Sequence, residues 1–209
     1  MLTARRFWQA SLKRNWALYL VVVVVFAAGL ATGIWSACGL HREQVGELEA
    51  YIRGLFTHPA GFEIDSGAVL RTSTVNNLML FGAIYLSGLS VIGIPVMLGL
   101  LFVRGFALGF AVLLLIEDRG WQGVLLAAAA LLPQNLILIP AIVIAAAASL
   151  SFSILLIRRG FNPQVNIWAN LVRYTGLAAA CLAIAAGSGL IEAYLSPYLL
   201  EAVLALVGD

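Results

Sequence analysis

Long apolar runs alternate with short polar breaks along this chain, and the run lengths set the predicted elements. The stretches 16–35, 72–91, 95–116, 136–157 and 174–190 each hold enough apolar residues for one helical crossing of a bilayer, which takes about 20. Gly93-Ile94-Pro95 is the strongest break between the second and third spans. Bending the chain at Arg104 instead leaves a following run of about twelve residues, too short to cross. Arg104 therefore falls inside the third span, beside Gly99, Gly105 and Gly109. The sizeable polar segment is 38–71. Within it Val45, Leu48, Ile52 and Leu55 recur at helical spacing opposite Glu43, Glu47, Glu49 and Arg53, which predicts an amphipathic helix outside the membrane. Thr57-His58-Pro59-Ala60-Gly61 ends it. Asn162-Pro163 reads as a helix start. Ile167, Trp168, Leu171 and Val172 then form an amphipathic helix to about Arg173, ahead of the last span. The tail 191–209 starts a further helix at Ser196-Pro197 and, with Glu201 in it, stays on one surface.

The central stretch 121–159 carries the sharpest local signal. No Asp, Glu, Lys, Arg or His lies between Arg119 and Arg158. One straight helix from Trp121 to Ile157 would measure about 55 Å, against roughly 30 Å of hydrocarbon. Pro133 has no N–H for the carbonyl of Ala129, and the side-chain amides of Gln134 and Asn135 follow it. Backbone groups freed in lipid need partners, and these amides can serve. The expectation is a re-entrant half-helix over 121–132, a turn at Pro133–Asn135 and a full span over 136–157 that contains Pro140. The alternative is one kinked helix whose first turns lie in the interface.

Composition fixes the class: 62% of residues are hydrophobic and 11% charged, an all-α, polytopic membrane protein of a single domain over 1–209. The charges also predict an orientation. With the N-terminus inside, Arg5, Arg6, Lys13, Arg14, Arg158, Arg159 and Arg173 lie on the cytoplasmic side, with Arg104 nearest it. All ten acids fall outside, and the basic bias follows the positive-inside pattern. Five crossings place the C-terminus outside. The run 16–35 is too long for a typical signal-peptide core and reads as a signal-anchor. The net charge of +2 gives no pointer to nucleic acid, and none is expected as a partner. Cys38 and Cys181 have no disulfide or metal spacing, and Cys181 reads as a small apolar filler. His41 and His58 are far apart, so no metal is expected.

No catalytic motif is present: there is no phosphate loop, nucleotide fingerprint or nucleophile elbow, so no cofactor and no enzyme activity are expected. Helix-packing chemistry is abundant instead. Gly29-Leu30-Ala31-Thr32-Gly33 and Gly105-Phe106-Ala107-Leu108-Gly109 are both small-xxx-small patterns. They suit packing within the chain or the seam of a homodimer, the former being the expectation. Arg104, Pro95, Pro133, Gln134, Asn135 and Pro140 form the expected polar and structural core. Two function classes fit: a membrane scaffold, or a small transporter or channel built around Arg104 and the Pro133 break.

Leu132-Pro133-Gln134-Asn135-Leu136 through Pro140-Ala141, the run Gly88–Pro95, Leu101-Phe102-Val103-Arg104-Gly105 through Gly109-Phe110, and Glu192-Ala193-Tyr194-Leu195-Ser196-Pro197 carry a resemblance nearly end to end. With them the chain resembles the stage II sporulation protein M family of endospore-forming bacteria. The resemblance implies membership of an engulfment complex with stage II sporulation proteins D and P, which cut septal peptidoglycan. It implies a scaffold without hydrolase activity, in the septal or engulfing membrane. Surfaces for those partners are expected on Val45, Leu48, Ile52 and Leu55, and on the tail through Glu192, Tyr194 and Pro197. The remaining contact is membrane lipid.

Overall fold

The structure is a computed structural model that describes residues 2–39, 66–161 and 167–207. These form five helices: α1 Leu2–Cys38, α2 Ser66–Gly88, α3 Gly93–Arg119, α4 Trp121–Phe161 and α5 Ile167–Val207. The predicted amphipathic helix with Val45, Leu48, Ile52 and Leu55, and the helix start at Asn162-Pro163, lie outside the described residues.

Helix directions follow from specific contacts. Gly29 and Gly33 of α1 face the carbonyls of Phe102 and Phe106 in α3, so these two helices run parallel. Ser73, Ile84 and Gly88 of α2 meet Gln134, Ser149 and Ser153 of α4 in the same order, so that pair is parallel too. Asn77 and Tyr85 of α2 meet Ser188 and Thr175 of α5 in reverse order. The bundle therefore alternates up and down, with the start of α1 and the end of α5 at opposite ends. Val22, Phe81, Ile84, Met97, Leu101, Leu138 and Ile142 fill its centre with Ala145, Ala146 and Cys181.

Among the described residues, four segments are long and apolar enough to cross a membrane: Trp16–Cys38, Gly93–Leu114, Pro133–Gly160 and Ile167–Gly189. The expected span at 72–91 is not among them. Arg71, Thr72, Ser73, Thr74, Asn76 and Asn77 crowd the first half of α2 and lower its hydropathy, although α2 lies alongside α4 and α5 for most of its length. The last crossing begins at Ile167 rather than 174, because the expected amphipathic helix and the span are one continuous helix. The expected separate tail is likewise part of α5, which runs through Ser196-Pro197 to Val207.

The largest departure is at Pro133. The expected re-entrant turn is absent: α4 is a single helix with Pro133 and Pro140 inside it. Each proline removes one intrahelical hydrogen bond, which a helix packed on neighbours tolerates. Asn135 Nδ2 donates to Leu131 O at 2.8 Å, a bond within the helix that holds the turn containing Pro133. Pro95, by contrast, sits in the first turn of α3, where no intrahelical donor is required. A tight turn precedes it, with Leu89 N–H donating to Leu86 O and Ser90 N–H to Ser87 O at 3.1 and 3.2 Å. A side chain at Gly93 would collide with the Ser87 backbone, so this turn needs glycine there.

Candidate functional site: a polar seam between three helices

Hydroxyl and amide side chains of α2, α4 and α5 meet along one buried seam. On α2, Ser73, Asn77, Phe81, Ile84 and Gly88 recur at helical spacing and are all buried. At the end nearer Ser66, Gln134 Nε2 donates to Ser73 Oγ and Asn77 Nδ2 to Ser188 Oγ, both at 3.2 Å. Ser188 Oγ donates in turn to Ala185 O at 2.7 Å. Thr74 Oγ1 packs where a side chain on Gly189 would stand. Thr74 Oγ1 and Asn135 Oδ1 are buried without a hydrogen-bond partner among the described residues.

The other end is built on an aromatic stack. Tyr174 lies between Tyr85 and Phe152, with ring centroids 5.1 and 4.8 Å away. Its hydroxyl donates to Tyr85 O at 2.8 Å, and Tyr85 OH pairs with Thr175 Oγ1 at 3.1 Å. Ser149 Oγ donates to Ile84 O at 2.9 Å. Ser153 Oγ donates to Gly88 O at 2.9 Å and to Ser90 O at 3.2 Å, which ties α4 to the α2–α3 turn. A side chain on Gly88 would strike Tyr174 OH and Ser149 Oγ. A cavity of about 10 Å³ beside the stack is lined by Phe81, Ile84, Tyr85, Ala145, Tyr174 and Leu177 among others. It has room for about one water molecule and touches neither Arg104 nor Gln134.

Of the expected core residues, the structure buries Gln134 and Asn135 in this seam and places Pro133 half-buried beside them. Pro140 and Pro95 are exposed. Arg104 is half-buried on α3, about 16 Å along the axis from Gly93. Gln134 stands about 28 Å along α4 from Ser153, the residue level with the Gly88–Gly93 turn. The Gln134 and Asn135 amides are thus at another depth from Arg104, donating to Ser73 and Leu131. Glu192, Tyr194 and Pro197 fall on the last part of α5. Sequence reasoning passed over Ser73, Asn77, Ser149, Ser153, Tyr174 and Ser188. The spacing Ser149/Ser153, four apart in an apolar run, was the available signal, whereas Ser73/Asn77 share that spacing within a polar stretch.

The two small-xxx-small patterns face each other. Gly29 and Gly33 abut the carbonyls of Phe102 and Phe106, while Gly105 and Gly109 abut those of Phe26 and Leu30. Both motifs are used inside one chain.

A polar seam joined to a glycine-packed helix pair is an assembly device in lipid. The family model for stage II sporulation protein M matches residues 22–197, from the first span through the last part of α5. The chain belongs to the stage II sporulation protein M family. It is accordingly a sporulation-related membrane protein, as the Leu132–Ala141 and Glu192–Pro197 motifs implied. No curated protein and no solved structure matches the chain.

Proposed function

We propose that this protein is a non-catalytic membrane scaffold that recruits and positions peptidoglycan hydrolases, of the stage II sporulation protein D and P type, for septal wall degradation during engulfment. The observation that carries the reading is the family match over residues 22–197. The use of the interior adds support. Gln134, Asn77, Ser149, Ser153 and Tyr174 spend their donors on neighbouring helices. A carrier would turn such groups toward a solute path. In this reading the N-terminus is cytoplasmic and the C-terminus external, and Val45, Leu48, Ile52, Leu55 and the end of α5 meet the enzymes.

The test is co-purification in detergent from sporulating cells. Wild type should capture a peptidoglycan hydrolase. Leu48→Asp, Ile52→Asp or deletion of 198–209 should lose it while the size-exclusion profile stays unchanged. Failure of wild type to capture a hydrolase, together with solute or ion flux in reconstituted vesicles, would replace the scaffold with the transporter.

A further inference from the structure

The cations of this chain gather at one end of the bundle without a counter-charge. The start of α1, the α2–α3 turn, the end of α4 and the start of α5 share that end. Arg5, Arg6, Lys13 and Arg14 lie on the first part of α1, Arg158 and Arg159 in the last turn of α4, and Arg173 near the start of α5. No acid of the described helices stands with them. Glu117 and Asp118 close α3, and Glu192 and Glu201 lie on the last part of α5, all at the opposite end. The segment 40–65, with Glu43, Glu47, Glu49, Glu63 and Asp65, joins Cys38 to Ser66, which are also at that opposite end. The sequence 162–166 carries no acid. The α2–α3 turn has no charge either and exposes Leu89, Val91 and Ile92, so the positive charge belongs to α1, α4 and α5.

We infer that Arg158, Arg159 and Arg173 form a binding surface for the headgroup of an anionic phospholipid such as phosphatidylglycerol. All three are exposed. Phe152 of α4 stacks on Tyr174 of α5. Arg159 stands two turns past Phe152 on the same face of α4, and Arg173 immediately precedes Tyr174, so both flank one α4–α5 contact with Arg158 beside them. Depth decides the kind of partner. Arg158 and Arg159 lie within Pro133–Gly160, and Arg173 lies within Ile167–Gly189, two of the segments apolar enough to cross a membrane. A soluble acidic partner would have to enter the headgroup layer to meet them, whereas lipid phosphate already stands there. Long arginine stems carry the charge from the span to that layer, and the planar guanidinium fork meets a phosphate through two hydrogen bonds. Uncompensated basic groups at this position attract anionic lipid.

The test uses the full chain with Cys38→Ser and Cys181→Ala, reconstituted in phosphatidylcholine vesicles. A single cysteine replaces Ala180, which is exposed two turns beyond Arg173 on the same face of α5 and about 10 Å deeper. Leu136→Cys, exposed near the other end of α4, is the control. Each cysteine carries a bimane label, and quenching is compared between phosphatidylglycerol and phosphatidylcholine with a nitroxide on the acyl chain. At position 180 phosphatidylglycerol should be favoured about fivefold or more, and at position 136 neither lipid should be. Replacing Arg158, Arg159 and Arg173 together by Gln should bring the ratio at 180 to about one, while Lys at the three positions should keep most of the preference. Raising the salt to about 0.5 M should weaken it in the otherwise native chain, which needs no substitution in the bundle. Equal quenching by the two lipids at position 180 overturns the inference. So does a preference that survives the Gln substitutions, or one that is as large at position 136.

Discussion

The α1–α3 contact and the α2–α4–α5 seam hold helices together by opposite means. Between α1 and α3 the backbones approach until Gly29, Gly33, Gly105 and Gly109 abut opposing carbonyls. The attraction there is close packing, and space is the limiting quantity. Between α2, α4 and α5 the helices are tied by directional bonds from Ser73, Asn77, Gln134, Ser149, Ser153 and Tyr174. The first contact should tolerate chemistry changes but no added volume. The second should tolerate loss of single bonds, because each is one of several.

The heaviest loss is expected at the glycine pair. Gly33→Leu or Gly105→Leu drives a side chain into a carbonyl on the facing backbone, which no rotamer change relieves. We expect at least about 3 kcal/mol of destabilisation, seen as a fall in detergent Tm of about 6 °C or more. A wild-type Tm for both would refute the close approach.

Gly88→Ala tests a place where the two means meet. Its new methyl would displace Tyr174 OH and Ser149 Oγ, so the cost combines volume with the bonds to Tyr85 O and Ile84 O. About 2 kcal/mol is expected, and Gly88→Ala combined with Tyr174→Phe should cost less than the two single changes added together.

Smaller still is the amide layer. Gln134→Leu and Ser73→Ala should each cost about 1 kcal/mol, with a coupling near 0.6 kcal/mol in a double-mutant cycle. Zero coupling would mean that the 3.2 Å contact carries no energy. Tyr85→Phe, which removes only an exposed bond to Thr175, should cost least, a few tenths of a kcal/mol of stability read from the Tm.

The same contrast explains what could be read in the sequence. Helix positions came from hydropathy alone, because lipid leaves no other way to satisfy a backbone. The Gly-xxx-Gly patterns announced close packing, yet nothing in their spacing said that Gly29 would meet Phe102 rather than a second chain. Pro133 misled for a local reason. A proline removes one hydrogen bond, and whether the helix stops there depends on neighbours such as Ser73 and on Asn135 bonding Leu131 O. Ser73 lies far outside the window in which a proline is judged, and the local Asn135–Leu131 bond suits a continued helix as well as a broken one. The polar seam was hidden similarly: isolated serines in an apolar run look incidental until Ile84 O and Gly88 O stand opposite them.

The α1–α3 contact also sets a timetable for biogenesis. Its two halves are separated by all of α2 and the 40–65 segment, so α1 enters the membrane with Gly29 and Gly33 bare. At about 5–20 residues per second of synthesis, the chain from Cys38 to Arg119 takes about 4–16 s to emerge. For that interval α1 is an unpaired glycine-faced helix in lipid, open to any passing helix. Slow translation through α2 and α3 should lengthen that exposure and raise the yield of mispaired, protease-sensitive chains.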